Sequence, residues 1–144
     1  MFKVIIDSRE QKGWDFRGVP DLSYTIGKLD TGDYAVEGLE DLCVERKRSV
    51  SELAGNFSEE RWTNVLERMS SFKHPYIICE FELKDVINYP FNMPKELRAK
   101  IKVRGAYVLK RITEAEIKYG VRFVFAGKYG QNFFISLIKR LCQK

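Results

Sequence analysis

The chain has 144 residues, of which 44% are hydrophobic and 13% aromatic, so it can bury one hydrophobic core but is too short for two ordinary domains. We therefore expect a single domain over residues 1–144. Lysine and arginine number 25 against 20 aspartate and glutamate, which gives a formal charge of +5 and a pI near 9.1. This balance allows a polyanionic partner without requiring one.

The cysteines and the apolar segments exclude several further classes of protein. Cys43, Cys79 and Cys142 are odd in number and lack Cys-x-x-Cys spacing, which argues against a disulfide framework or a zinc cluster. We expect reduced thiols in the core. No apolar run is long enough to span a bilayer, and the opening Met1–Asp7 is too short for a signal peptide. The sequence thus predicts an intracellular protein with no membrane partner, cytoplasmic if its source is a prokaryote or a phage.

The chain opens with a predicted strand. Phe2–Ile6 is a short β-branched run typical of a buried strand, and Asp7 follows at its C-terminal edge, where a strand can offer a side chain to a crevice. Gln11–Leu22 is interrupted by glycine and proline and predicts a loop. We expect Trp14 and Phe16 of this loop to pack into the core.

An antiparallel hairpin is predicted next. Ser23–Leu29 alternates imperfectly and predicts the second strand. Tyr34–Val36 and the run that begins at Leu42 are then separated by a turn over residues 38–41, the spacing of a hairpin.

This hairpin would bring acidic side chains to one edge of the sheet. Asp33 stands at the start of its first strand and Glu45 at the end of its second, so the two carboxylates meet if the strands pair. Because alternate side chains share a face, Glu45 and Lys47 should project together while Arg46 points the other way. Mg²⁺ needs only one or two carboxylates beside water and phosphate oxygens, and Lys47 would orient or deprotonate the attacking water or stabilise developing charge. The pattern favours a phosphodiesterase site, although Glu-x-Lys is also typical of a solvated strand end.

Glu52 has two interpretations. Ser49 or Ser51 can cap the start of a helix, and Ser49 stands three residues before Glu52, which is the spacing of a capping box. In that role Glu52 would bond the helix end and lie away from a metal. In the other, it would be an additional acidic ligand.

A helix is predicted after Ser58. Its apolar residues recur at helical spacing and indicate one buried stripe, made of Trp62, Val65, Leu66 and Met69. Arg61 lies off that stripe, where it can reach a phosphate or remain solvated.

The next predicted strand, Tyr76–Phe81, is nearly continuous apolar sequence and should be central in the sheet. A carboxylate in such a run is costly unless paired, so Glu80 should meet a basic partner or face the site. The only histidine, His74, precedes the strand, and we leave it outside the site.

The last third of the chain predicts helix, strand and helix. Residues 94–104 carry five basic residues and one acidic residue and predict either a DNA-facing loop or a solvated connection. Gly105 then opens a helix that stops at Gly120, Val121–Ala126 predicts a strand, and a final helix follows Gly127. This alternation favours an α/β fold with right-handed crossovers.

Taken in order, these motifs resemble the nuclease domain of the XPF family of structure-specific endonucleases, a branch of the PD-(D/E)xK superfamily. That family reads V-D-x-R-E, then G-D-Y, then V-E-R-K with an acid shortly after, then a helical arginine and a P-Y-x-x-x-E strand. The matching stretches are Asp7-Ser8-Arg9-Glu10, Gly32-Asp33-Tyr34, Val44-Glu45-Arg46-Lys47, Arg61 and Pro75-Tyr76 with Glu80. One departure is that Ser51 stands where the family commonly places its next acid, and the nearest acid is Glu52.

The resemblance implies a restriction-endonuclease-like α/β domain with a mixed central β-sheet flanked by helices, acting as a Mg²⁺- or Mn²⁺-dependent DNA endonuclease. It implies metal binding by Asp7, Asp33 and Glu45, with Glu52 as a further candidate. It implies catalytic roles for Asp33, Glu45 and Lys47, supported by Arg9 and Glu10. We expect DNA contacts from the basic residues near the site and in the basic segment, namely Arg46, Arg48, Arg61, Lys100, Lys102 and Arg104.

The resemblance also implies cleavage of branched or flapped DNA in repair or recombination. XPF-like proteins usually append helix-hairpin-helix motifs, for which these 144 residues leave no room. We therefore expect specificity to come from the nuclease domain, a homodimer or a partner protein. Two alternatives stay open: a catalytically silent DNA-binding or scaffold module, against which the intact Asp33, Glu45 and Lys47 argue, and a sequence-specific nuclease of the restriction type.

Overall fold

Within the described residues 1–143, six strands form one sheet. They are β1 (Phe2–Asp7), β2 (Leu22–Gly27), β3 (Tyr34–Val36), β4 (Leu42–Lys47), β5 (His74–Cys79) and β6 (Arg122–Phe125). In the computed structural model, which describes residues 1–143, they lie in the order β2-β1-β3-β4-β5-β6. The β1/β3 and β3/β4 pairs are antiparallel and the other three neighbouring pairs are parallel, so the predicted mixed central sheet is confirmed.

Six helices complete the fold of this part of the chain. They are α1 (Val50–Phe57), α2 (Arg61–Ser70), α3 (Leu83–Ile87), α4 (Lys95–Arg98), α5 (Gly105–Tyr119) and α6 (Gly130–Leu141), the last preceded by a 3-10 turn. The hydroxyl of Ser49 accepts a hydrogen bond from the Glu52 amide and caps α1. Gly120 ends α5 as predicted, with a left-handed φ of 68°. No helix within residues 1–143 combines the length and the apolar character that crossing a membrane requires.

The helices cover both faces of the sheet. Buried side chains of α1, α2 and α5 form a core on one face, and Phe134 and Ile138 of α6 form a second core on the other. Trp14 and Phe16 belong to the second core, as predicted. Cys43 of β4 lies in the first core and Val44 in the second, so alternate residues of β4 face opposite helical layers.

Several element boundaries differ from the prediction, most of them by one or two residues. β2 ends at Gly27, because Asp7, the last residue of its partner β1, pairs with that glycine. β5 ends at Cys79, where its pairing with Phe125 of β6 also ends. Within the predicted loop at residues 94–104, Lys95–Arg98 forms the short helix α4.

The cysteines are free, as predicted, but one lies elsewhere than expected. Cys43 and Cys79 are buried in the core. Cys142 is exposed, because it follows the last residue of α6 and lies beyond the buried part of that helix. The expectation of a core thiol at Cys142 is therefore wrong.

Candidate functional site

A polar cleft of about 290 Å³ opens between the sheet and α2. Its sheet side is lined by the carboxylates of Asp7, Asp33 and Glu45 together with the Lys47 ammonium. Its helical side includes arginines and the indole of Trp62. The cleft therefore gathers acidic and basic side chains that are distant in sequence.

The hairpin geometry fixes Asp33 beside β4. The Asp33 amide donates a 2.7 Å hydrogen bond to the Val44 carbonyl, and Oδ2 of Asp33 accepts a 2.8 Å hydrogen bond from the Arg46 amide. The chain reaches this position through Gly32, which has a φ of 92°. A Cβ at Gly32 would lie 3.1 Å from the Val44 carbonyl oxygen, so the close approach favours glycine.

Glu45 is a buried carboxyl with too little positive charge around it. Only 13% of its side chain is exposed. Burial raises its pKa above the ordinary value, and the negative charge of Asp33 raises it further, whereas the Lys47 ammonium opposes the shift only in part. A cation in the cleft would relieve this repulsion.

Lys47 is held by carboxylates on both sides. Its Nζ lies 3.8 Å from Oε2 of Glu45 and 3.7 Å from Oε1 of Glu52, and only 8% of the side chain is exposed. The ammonium also lies 4.6 Å from the centre of the Trp62 ring. The predicted projection of Glu45 and Lys47 to one side of β4 is thus present.

Glu52 takes a position between its two interpretations. Its backbone amide bonds the capping hydroxyl of Ser49 at 3.1 Å. Its carboxylate is an ion-pair partner of Lys47 and does not line the cleft. Glu52 therefore contacts Lys47 rather than the acidic pair formed by Asp33 and Glu45.

Asp7 is a buried carboxylate that lines the cleft with both oxygens engaged. Oδ2 accepts a 2.9 Å hydrogen bond from Nε of Arg9, and Oδ1 accepts one of 2.9 Å from the Leu29 amide. Burial alone would raise the pKa of Asp7, but the hydrogen bonds from Arg9 and Leu29 outweigh it and lower the pKa. A cation at Asp7 would have to share the carboxylate with Arg9.

Arg46 is placed differently from the DNA contact expected of it. Only 10% of its side chain is exposed, and its guanidinium forms an ion pair with Glu80, lies 3.9 Å from Oε2 of Glu10 and covers the Trp14 ring at 5.1 Å. Glu80 thus meets a basic partner, as predicted. Because alternate residues of β4 face opposite helical layers, Arg46 is buried away from the cleft and cannot reach a phosphate there.

Glu10, expected beside the catalytic residues, belongs to the same buried cluster. Its Oε1 lies 3.1 Å from Nη2 of Arg48, and its Oε2 is buried without a hydrogen bond. Burial raises the pKa of Glu10, and the charge of Asp33 adds to the shift. Glu10 therefore acts on the cleft through its charge and not by lining it.

The remaining candidate DNA contacts lie in three places. Arg61 lines the cleft, and 80% of its side chain is exposed. Lys100, Lys102 and Arg104 are exposed but do not line the cleft. Arg48 is partly exposed and paired with Glu10.

Arg68 is a cleft residue that the sequence interpretation missed. It lines the cleft and its Nε donates a 3.3 Å hydrogen bond to Oγ1 of Thr31 on the opposite side. It follows Arg61 by seven residues, about two helical turns, so both arginines lie on one face of α2. The seven-residue spacing is the sequence signal that identifies Arg68 as a neighbour of Arg61.

The donor set of the cleft suits a small divalent cation. Within residues 1–143, no three His, Cys, Asp or Glu side chains already stand as a metal-binding cluster. Mg²⁺ does not require one, because one or two carboxylates with water and phosphate oxygens complete its shell. Asp33 and Glu45 supply two carboxylates, and the buried amide oxygen of Asn56, which also lines the cleft, has no hydrogen-bond partner.

Comparisons with known proteins agree with this fold. The ERCC4 domain family model matches residues 6–139. Similar solved structures include XPF from Aeropyrum pernix, with a TM-score of 0.65, and XPF from Aeropyrum pernix in complex with DNA, with a TM-score of 0.62. Each is 22% identical, and each match covers 96% of this chain but 64% of the XPF chain, less than two thirds of its length. No curated protein sequence matches. The likeness confirms the restriction-endonuclease-like fold.

Proposed function

Because the chain belongs to the ERCC4 domain family, we propose that it is a DNA endonuclease whose cleft hydrolyses phosphodiester bonds with the help of Mg²⁺ or Mn²⁺. The observation that carries the proposal is the convergence of Asp33, Glu45 and Lys47 in one cleft, with Glu45 kept short of compensating positive charge. A solvated strand end would leave these side chains apart and exposed.

Asp33 and Glu45 would hold the cation, with Asn56 and Asp7 as the further oxygen donors within the cleft. When bound, the cation would supply Lewis-acid stabilisation of charge on the phosphate and activation of a water molecule. Glu52 would act through Lys47, to which it is paired, and not as a direct ligand.

The chain's own residues would position the remaining groups. Lys47, fixed between two carboxylates, can donate hydrogen bonds to the attacking water or to a phosphate oxygen. Water would attack the phosphorus in line, the bond to the 3′ oxygen would break, and a 5′ phosphate would remain. Arg61 and Arg68 would hold the phosphates on either side of the scissile bond, since both reach the cleft from one face of α2.

The proposed substrate is branched or flapped DNA, in repair or recombination. The cleft is lined mostly by charged and polar side chains, with arginines among them, which fits recognition of backbone and shape more than of sequence. One similar structure is of XPF in complex with DNA, which supports DNA as the partner.

A panel of labelled DNAs tests the proposal. Linear duplex, single strand, fork and 5′ and 3′ flap substrates are incubated with the protein in Mg²⁺, Mn²⁺ or EDTA. We expect metal-dependent cuts near the branch. Cutting at one sequence in linear duplex would instead identify a restriction-type enzyme, and binding without cutting would identify a silent DNA-binding module.

A further inference from the structure

A second groove, also about 290 Å³, lies between α2 and α5. The helix α2 separates it from the cleft: Trp62 and Val65 line the cleft, whereas Thr63 and Leu66 line the groove. Trp62 and Leu66 belong to one buried stripe, but Arg61 and Arg68 of the cleft lie on the side of α2 opposite to Thr63 of the groove, because the helix has 3.6 residues per turn. The groove and the cleft are therefore neighbours across one helix.

The α5 side of this groove is a basic stripe. It is formed by residues that recur every three or four positions along one helical face, namely Tyr107, Lys110, Arg111, Glu114 and Lys118. The stripe contains three basic residues and one acidic residue. Its ends are eleven positions apart, which is about 16 Å along the helix axis.

The groups in the stripe are available to an anion. Lys110 and Lys118 are exposed. Arg111 is fixed by its neighbours: Nη1 donates a 2.9 Å hydrogen bond to the Tyr107 hydroxyl, Nε lies 3.9 Å from Oε1 of Glu114, and the guanidinium lies 5.4 Å from the Phe57 ring. Only part of its charge is offset by Glu114.

We propose that this groove binds the sugar-phosphate backbone of the same DNA duplex whose scissile strand enters the cleft. This inference rests on the proposed function, because it takes DNA as the substrate. Each strand of a duplex carries one phosphate per 3.4 Å of axis, so a stripe of about 16 Å faces about five phosphates of one strand. Basic side chains and a tyrosine hydroxyl are the groups that bind phosphate oxygens without reading sequence.

The two sites are close enough to share one duplex. A helix with its side chains is about 10 Å across, whereas a duplex of 20 base pairs is about 70 Å long. DNA that crosses α2 would thus meet the arginines of the cleft on one side and the basic stripe on the other. The groove would hold the duplex arm next to the branch and set its direction.

The test removes two charges from the groove and compares the loss with an equal loss elsewhere. The test variant is Lys110→Ala with Lys118→Ala, which leaves Arg111 and its packing on Phe57 in place. The control is Lys139→Ala with Arg140→Ala, two exposed basic residues on α6, the helix of the opposite face of the sheet. Binding to a 20-base-pair duplex is measured in EDTA between 0.05 and about 0.5 M salt.

We expect the slope of log binding constant against log salt to fall by about 1.8 for the groove variant, because each lost phosphate contact removes about 0.9. If the groove variant and wild type bind equally at about 1 M salt, this difference in slope makes the variant about 60-fold weaker at about 0.1 M salt. The control should bind as wild type does, since charges more than about 10 Å away are screened at this salt concentration.

Equal slopes and affinities for the groove variant, the control and wild type would overturn the inference. Unchanged melting temperatures verify that both variants fold, and Lys110→Gln with Lys118→Gln repeats the test with longer side chains. Cleavage by wild type is read in the same preparations. If the groove variant binds DNA more weakly than wild type but wild type does not cleave, the proposed nuclease function is overturned. If wild type cleaves and the groove variant binds DNA as well as wild type does, only the proposal about the groove is overturned.

Discussion

The backbone amide of Arg46 donates a 2.8 Å hydrogen bond to Oδ2 of Asp33, so the strand that carries Glu45 and Lys47 also orients the carboxylate opposite them. The side chain of Arg46 leaves the strand on the other face and pairs with Glu80. Arg46 therefore contacts the acidic pair in the cleft through its backbone amide and Glu80 on the opposite face of the sheet through its side chain.

This arrangement predicts a large stability loss for Glu80→Ala. The variant would leave the Arg46 guanidinium buried beside Trp14 without its main partner, and removing one member of a buried ion pair costs about 3–5 kcal/mol. Glu37→Ala is the control, because its ion pair with Lys3 is exposed and such pairs contribute about 0–1 kcal/mol. Urea unfolding measures both; similar losses would show that the buried pair is not needed.

The close contact at Gly32 predicts that alanine is tolerated less well there than at another glycine with a positive φ. Gly32→Ala introduces a side chain at a positive φ and 3.1 Å from the Val44 carbonyl oxygen. Gly38→Ala meets a similar φ of 87° with no atom within 4 Å, so it reports the cost of the backbone conformation alone, about 1–2 kcal/mol. We expect Gly32→Ala to be the more destabilising and to reduce cleavage, because it displaces Asp33. Equal unfolding free energies would contradict the packing argument.

The raised pKa of Glu45 predicts how the metal-free protein responds to pH. The folded protein keeps a proton on Glu45 at pH values where the unfolded chain, with an ordinary pKa of 4.5, has lost it. Stability from this group is therefore present at low pH and is lost as pH rises from about 4.5 toward the higher folded pKa. Glu45→Gln should remove that part of the pH dependence.

Adding Mg²⁺ should change the pH dependence of the melting temperature. A cation favours the ionised form of Glu45, so the melting temperature of wild type should rise most at the higher pH values and that of Glu45→Gln much less. Thermal unfolding from pH 5 to 8.5, with and without Mg²⁺, measures both effects. A wild type and a Glu45→Gln variant with parallel pH profiles would show that Glu45 titrates normally.

Lys47 is predicted to act in the chemical step. Lys47→Ala should lower the single-turnover cleavage rate by about 10²-fold or more with metal saturating, which is the usual contribution of a positioned proton-transfer or charge-stabilising group. Lys3→Ala, an exposed lysine on β1, should leave the rate unchanged. The rates are compared at a temperature at which unfolding curves show every variant folded; a Lys47→Ala rate near that of wild type would remove the lysine from the chemistry.

The sequence predicts the acidic pair and Lys47 because their convergence depends on local structure. A hairpin and the period of two along a strand are enough to bring Asp33 to Glu45 and to turn Arg46 away. The partner of Arg46 depends on the register of β4 against β5 and on a loop that carries Trp14 over the sheet. These contacts join residues 34 or more positions apart, and a single sequence does not encode them in any local pattern.

The same distinction explains the basic residues. The density of charge at residues 94–104 predicts DNA contacts by Lys100, Lys102 and Arg104. In the structure, the arginines that line the cleft are instead brought together by the seven-residue spacing of Arg61 and Arg68 on α2. The groove of Lys110 and Lys118 arises only when α2 and α5 pack together. Charge density along the chain thus does not show which basic residues line a cleft or a groove.

The most direct test of the nuclease account is single-turnover cleavage of a labelled flap substrate by wild type, Asp33→Asn, Glu45→Gln and the exposed control Asp41→Asn, in Mg²⁺ and in EDTA. We predict that wild type and Asp41→Asn cut in Mg²⁺ and not in EDTA. Asp33→Asn and Glu45→Gln should cut at least about 10³-fold more slowly while folding and binding DNA as wild type does, because a bound metal contributes several kcal/mol to such reactions. Wild-type rates in folded Asp33→Asn and Glu45→Gln, or cleavage that persists in EDTA, would contradict the account.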